Sequence, residues 1–215
     1  MKREFFSYPE RIEQSSLYGF SWMEYVTAIP SPLVAVSSYK SNGKPNVAMQ
    51  SWCTFSGGSD GFYTIFANVH KRQHMYVSVR ETGCLVVNFP SQKYFAACMR
   101  SIHQNDFDTD EIAASGLSAE PAVKVNAPRI QECFLNLECE LAWERELFPG
   151  SDSMVLCARV VGFAMDETRY RTEKPGRYSK TGYLYNLRST LNPETGARDR
   201  AALGILQALP PYDIL

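Results

Sequence analysis

Apolar and polar positions alternate with a period of two over much of this chain, and that period predicts strands. Residues 33–39 and 45–55 are two such runs, joined by Ser41-Asn42-Gly43-Lys44. An Asn-Gly pair between alternating runs is a hairpin signal. A further strand is expected over 62–68, after the Gly-rich turn 57–61, and another over 84–88. In 131–147 the alternation is cleanest. Cys133, Leu135, Leu137, Cys139, Leu141 and Trp143 fall on one face; Glu132, Asn136, Glu138, Glu140 and Glu144 mostly take the other. Residues 154–165, beyond the turn 148–152, read as the antiparallel partner of that strand. Long alternating strands joined by turns predict an antiparallel sheet closed into a barrel.

Helical periodicity is rarer. Val69, Arg72, Met75, Tyr76 and Val79 lie near one helical face, with Asn68 as a candidate N-cap and Gly83 as the stop. A second helix is predicted over 92–102, with Phe95, Cys98, Met99 and Ile102 on its buried side. The connection 105–128 is polar and Pro-interrupted, with a short helix at 110–115, and 198–209 reads as helical until Pro210-Pro211. No repeat or linker divides the 215 residues, so one domain over 1–215 is expected.

A hydrophobic share of 45% and an aromatic share of 13% are enough for a substantial core and exclude disorder. A formal net charge of −1 argues against a nucleic-acid partner, which calls for a basic stripe. The longest apolar runs, 33–36 and 84–87, are too short to cross a bilayer. Met1-Lys2-Arg3-Glu4-Phe5-Phe6 holds no apolar signal core, so a cytoplasmic location is expected. The six cysteines, at 53, 84, 98, 133, 139 and 157, form no Cys-x-x-Cys pair and no zinc-ligand spacing with the three histidines. They read as reduced core thiols, and no metal is expected.

No nucleophile elbow, Walker loop or Rossmann fingerprint is present. No catalytic side chain is therefore assigned, and the chemistry is expected to rest with a bound cofactor. The stretch 46–90 reads as its cradle. Small polar residues of 46–54 and 62–68 lead into His70-Lys71-Arg72-Gln73-His74 at a helix start. Cations there oppose the helix dipole unless an anion joins them, and a phosphate would draw on both the free N–H groups and the side chains. The run Ser51–Thr54 suits a flat, hydrogen-bonding ring. A phosphorylated aromatic cofactor follows. The plainer alternatives are a solvated basic helix start for Lys71 and Arg72, a packed or exposed His74, an ordinary strand at 51–54 and a core role for Trp52. Asn88, inside the apolar run 85–89, needs amide partners from a ring edge or a neighbouring loop. Tyr178, Lys180, Tyr183 and Tyr185, around Gly182, form either a contact surface for a second substrate or a loop packed over the barrel end.

These motifs together resemble the flavin reductase-like, FMN-binding split-barrel family, closest to its flavoredoxin branch. The elements are Asn46-Val-Ala-x-x-Ser51, Lys71-Arg72 and Thr82-Gly-x-x-Val-Val-Asn-x-Pro90. Ala127-Pro-Arg-Ile-Gln-Glu-Cys133 with Leu137-Glu-Cys139, and Arg177-Tyr-Ser-Lys-Thr-Gly-Tyr-Leu-Tyr185, complete the set. The resemblance spans about 30–196 and implies a mainly β split barrel with a few peripheral helices. It also implies a homodimer that binds FMN near the subunit interface. By position, Ser51, Trp52, Cys53 and Thr54 would line the isoalloxazine, Asn46 would belong to the cofactor site, and Ala67 and Asn68 would lie near the ribityl–phosphate region. Lys71, Arg72 and His74 would hold the phosphate, and Asn88 would support the ring edge or its loops. Met75 departs from a threonine frequent in the family, which shifts the phosphate grip toward Arg72 and His74.

The implied activity is FMN-dependent oxidoreduction: hydride passes from NAD(P)H to the flavin, and electrons pass on to a protein, free flavin, oxygen or small-molecule acceptor. Tyr178, Lys180, Tyr183 and Tyr185 would then face the nicotinamide or acceptor. A non-catalytic FMN-binding electron carrier and a plain dimeric barrel module are the alternatives.

Overall fold

The computed structural model describes residues 1, 4, 29–171, 173, 177–187 and 203–207. Short β1 (Ser31–Pro32) precedes β2 (Val34–Tyr39) and β3 (Pro45–Gln50). Gly43, at φ +78°, closes the hairpin between β2 and β3 in a conformation that favours glycine. Next come β4 (Cys53–Gly58), β5 (Gly61–His70), helix α1 (His74–Thr82) and β6 (Cys84–Phe89). Helix α2 (Phe95–Arg100) lies between two short 3-10 turns, and α3 (Glu111–Ala114) begins after Asp110, whose carboxylate accepts the Ala113 N–H. The hairpin β7 (Ala119–Pro121) and β8 (Pro128–Ile130) leads to the long pair β9 (Leu135–Glu146) and β10 (Ser153–Met165). Short helix α4 (Glu167–Tyr170) is followed by β11 (Leu184–Asn186) and β12 (Leu203–Ile205).

Seven strands pair antiparallel in the order β3-β2-β6-β9-β10-β5-β4. The two ends of that order, β3 and β4, are separated in the chain only by Ser51 and Trp52. Three Cα steps span at most about 11 Å, so the sheet rolls until its edges meet at this link. The result is a barrel with a seam. Val34, Val36, Phe66, Val69, Leu85, Val87, Leu137 and Leu156 fill its interior, and Met75, Tyr76 and Val79 of α1 join the same core. Gly83 ends α1 at φ +71°, with its N–H on the Val79 carbonyl. All six cysteines are free and buried. Among the described residues, no helix is long and apolar enough to cross a membrane.

Several expectations are corrected. The run 45–55 is two strands rather than one, broken at Ser51-Trp52. Asn68 is no N-cap: it lies inside β5 at φ +59°, and α1 starts at the N-cap Gln73. There Ala67 and Asn68 together face the single residue Val155, because Met154 pairs with Val69 and Leu156 with Phe66. This bulge kinks the strand and re-aims Asn68. A second bulge, at Ala142, puts Leu141 opposite Ala158 and Trp143 opposite Cys157, which inverts the alternation. Trp143 is consequently 40% exposed instead of buried. Leu203–Ile205, expected to be helical, is a strand pairing with β11, while the rest of 198–209 except Leu206 and Gln207 lies outside the described residues. Gly204 permits that pairing: a Cβ there would meet the Leu187 side chain at 3.3 Å.

Candidate functional site

A cavity of about 480 Å³ opens beside the seam. One wall is the end of β3 and the link to β4: Asn46, Ala48, Gln50, Ser51 and Trp52. Its floor is the start of α1, with Gln73, His74 and Met75, and the bulge residue Asn68. An apolar part of the lining is formed by Phe95, Met99 and Ile102 of α2 and the turn after it. A more open polar groove shares Asn68, Gln73, His74 and Asn105 with the cavity and adds His70, Arg72 and Ser153. The two form one continuous trough, apolar at one end and cationic at the other.

Two features of the trough call for a ligand. Asn46 is 2% exposed, and its Nδ2 has no hydrogen-bond partner among the described residues. Leaving such a donor unpaired is costly, so a ring carbonyl or nitrogen accepting from it is stabilised. The first turn of α1 carries no acidic residue and no side-chain cap. Its N–H groups therefore remain for an anion. The volume lies within the ordinary range for a cofactor pocket. These residues fit a phosphorylated, flat, acceptor-bearing molecule.

The positions singled out from the sequence divide. Asn46, Ser51, Trp52, Asn68 and His74 come together around the cavity, and Arg72 joins at the groove. Ala67 stands beside them, with its N–H on the Trp52 carbonyl at 2.8 Å. Cys53 turns inward: its thiol joins the barrel core and faces the Pro32 carbonyl at 3.7 Å. Burial pushes that thiol up to about 12, which keeps it protonated. Thr54, next along the strand, is exposed on the other side of edge strand β4.

Two of the positions lie apart from the trough. Lys71 places Nζ at 2.8 Å from Glu146 Oε1, outside the residues that line the cavity and the groove. Hydrogen bonding to Glu146 raises the lysine and lowers the carboxyl. Asn88 is fully buried on the outer side of the barrel wall. Its Nδ2 donates to the Ala35 carbonyl and Ser37 Oγ, and its Oδ1 accepts from the Ile130 N–H and Asn136 Nδ2. This amide fastens the end of β8 to the sheet and is fully used there.

The tyrosine segment is also redistributed. Tyr183 packs edge-on against Phe89 and Phe134, with ring centroids 5.4 and 5.2 Å apart, and Tyr178 leans on it. Tyr185 lies in β11, paired with Pro32 and Gly204, and Lys180 is exposed in a 3-10 turn. Gly182 is required in this turn, since a Cβ would come within 2.6 Å of the Arg177 carbonyl oxygen. The segment does reach the cavity, but through Asn186, whose Nδ2 donates to Ser51 Oγ at 3.0 Å. Sequence reasoning missed Asn186 and also the cavity role of Phe95, Met99 and Ile102. The signal for the latter was the apolar spacing on 92–102, which had been assigned wholly to the core.

The chain was compared with known proteins. A family model described as flavin reductase like domain matches residues 26–187. An uncharacterized protein of Methanothermobacter thermautotrophicus is 26% identical over 147 residues, 67% of this chain and 68% of its own. Nitrilotriacetate monooxygenase component B from Bacillus cereus superposes with a TM-score of 0.72 at 18% identity, covering 98% of this chain and all of its own. The flavoredoxin of Desulfovibrio vulgaris does so with a TM-score of 0.67, also at 18% identity, over 86% of this chain and 92% of its own. At such identities the two structures establish a shared split-barrel fold.

Proposed function

The chain belongs to the flavin reductase-like family and is a flavin-related oxidoreductase; on that premise, we propose that it is a single-domain FMN-dependent reductase, homodimeric and cytoplasmic, that takes its electrons from NAD(P)H. The observation that carries this reading is the buried, unpartnered amide of Asn46, a residue that lines the same cavity as the uncapped start of α1. Asn46, Ser51, Trp52 and Asn186 would meet the acceptor-rich edge of the isoalloxazine. Asn68, Arg72, His74 and the first-turn N–H groups would hold the phosphate. Cys53 and Ala67 would contribute backbone only.

FMN supplies the redox chemistry when bound, accepting hydride at N5 and passing electrons to an acceptor. The protein's share is to bind, orient and shield. Phe95, Met99 and Ile102 offer an apolar wall. With the ring held on the polar side, that wall leaves room for a nicotinamide or acceptor to stack. This openness favours a reductase over a closed electron carrier. The homodimer reading rests on Phe62, Trp143 and Phe163, which stand exposed on the neighbouring strands β5, β9 and β10.

Titration of the purified protein with FMN and riboflavin, followed by anaerobic NAD(P)H, tests this reading. Tighter FMN binding and bleaching of the visible flavin band are expected. Equal affinity for both flavins would remove the phosphate assignment. FMN binding without bleaching would favour the carrier.

A further inference from the structure

His74 is backed by groups that lie behind the cavity wall. Glu111, the first residue of α3, is fully buried. Its Oε1 accepts from Lys40 Nζ at 3.1 Å, and its Oε2 accepts from the Val47 N–H at 2.8 Å. The same Oε1 stands 3.7 Å from His74 Nδ1. That nitrogen is itself buried, with no hydrogen-bond partner among the described residues. The His74 side chain nevertheless remains 28% exposed, so its accessible surface belongs to the rest of the ring, which lines both cavity and groove.

The loop between α2 and α3 completes the setting. Phe107 meets the imidazole edge-on, with centroids 6.2 Å apart and planes at 76°. Lys40 Nζ holds this loop through the carbonyls of Asp106 and Thr109, at 2.9 and 2.7 Å. Asn42 Nδ2 donates to the Phe107 carbonyl and to Asp108 Oδ1. Lys40 and Glu111 thus form a buried ion pair whose free side is turned to a histidine. A buried ion pair adds little stability by itself, and fixing one arrangement is its better-attested use.

We propose that Glu111 is a positioning residue for His74, its carboxylate keeping a proton on Nδ1 and turning Nε2 toward the anionic end of the trough. A bare Nδ1 lone pair would face a carboxylate oxygen across a poorly solvated gap, which is unfavourable. The partner of one ring nitrogen sets what the other can do. With Nδ1 protonated, Nε2 is the ring nitrogen left to meet a phosphate, as a donor in the imidazolium form. The other charged or titratable groups bearing on the ring are Lys40, behind Glu111, and Arg72 and His70 along the groove. Phe107 is neutral. This inference rests on the reading that the trough takes a flavin phosphate.

Nitrogen-15 NMR of His74 in the wild-type protein, before flavin is added, tests the geometry alone. A protonated Nδ1 is expected at every pH where the ring is neutral; an unprotonated Nδ1 would overturn the proposal. Titrations with FMN and riboflavin then test the consequence. In Glu111→Gln the ratio of FMN to riboflavin affinity should fall about tenfold, the size of a lost charge-assisted hydrogen bond. Riboflavin affinity should stay the same. His74→Ala should add no further loss in that background, and Glu111→Asp should recover part of the ratio. An unchanged ratio, or equal losses for both flavins, would mark the pair as a fold-holding contact only. Wild-type protein that does not distinguish FMN from riboflavin would instead defeat the phosphate reading, and the NMR result would stand apart from it. If Glu111→Gln fails to fold, the wild-type tautomer decides.

Discussion

Asn186 Nδ2 donates to Ser51 Oγ, linking the last residue of β11 to the seam where β3 passes into β4. The two are 135 residues apart in the chain. This bond carries the C-terminal segment into the cavity, while the tyrosines that precede it look into the core or the surface.

Asn186→Ala should therefore weaken FMN by roughly 1 kcal/mol, the net worth of one ordinary hydrogen bond. Lys180→Ala should leave FMN affinity unchanged. Fluorescence titration of the two variants checks both statements, and a reversed order would put the lysine, rather than Asn186, at the flavin.

Lys71 and Arg72 are adjacent in sequence but face different surroundings. Arg72→Ala should lower FMN affinity about ten- to a hundredfold while sparing riboflavin. Lys71→Ala, whose ammonium already serves Glu146 at the surface, should leave both affinities in place. An unaltered FMN dissociation constant in Arg72→Ala would return that arginine to a solvated charge.

The apolar wall should govern the second substrate rather than the flavin. Ile102→Ala and Met99→Ala are expected to raise the apparent KM for NAD(P)H or the acceptor severalfold with FMN affinity nearly constant. Tyr183→Ala should instead cost about 2 kcal/mol of stability, since its ring packs on Phe89 and Phe134. Steady-state kinetics and urea unfolding of the three variants separate the cases.

The buried thiols give a pH dependence of known sign. Burial pushes Cys53 up to about 12 from an ordinary 9.0, and Cys139 and Cys157 move the same way, also through burial. Between those limits the unfolded chain releases protons that the folded chain keeps. Stability is thus full below about pH 9 and declines as pH rises toward 12. Urea midpoints should fall between about pH 8 and about pH 10.5, and less steeply in Cys53→Ala. Parallel profiles would show that Cys53 is not so enclosed.

Sedimentation should give about twice the chain mass of 24.3 kDa. Phe163→Glu and Trp143→Glu should shift that value toward the monomer. A wild-type protein that remains at one chain mass at every concentration would count against the dimer.

A half-buried strand such as β5 was legible because it writes its geometry into alternate residues, whereas β2 and β6 are buried almost throughout and read as short apolar runs. The hairpin at Asn42-Gly43 and the stop at Gly83 were legible because positive φ restricts the choice of residue. The bulges were not. One extra residue in a strand leaves no compositional trace, yet it moved Trp143 outward and put Asn68 inside β5 rather than at the helix N-cap. Asn88 illustrates a different limit. The sequence required partners for its amide, but whether these were a ligand or the backbone near Ile130 depended on tertiary pairing alone. Gly204 and its strand were missed because a short apolar run has no reliable period of its own.

The seam has a further consequence. β3 and β4 end the order of paired strands, and the two-residue link joins them at one end only. A molecule seated against Asn46, Ser51 and Trp52 on one side and Asn68 on the other fastens edge strand β3 to β5, the neighbour of the opposite edge. Occupancy and folding are then linked quantities, and saturation at a hundred times the dissociation constant adds about 2.7 kcal/mol. In hydrogen exchange, the amides of β3 and β4 should be the first of the barrel to exchange in empty protein and the ones most slowed by ligand.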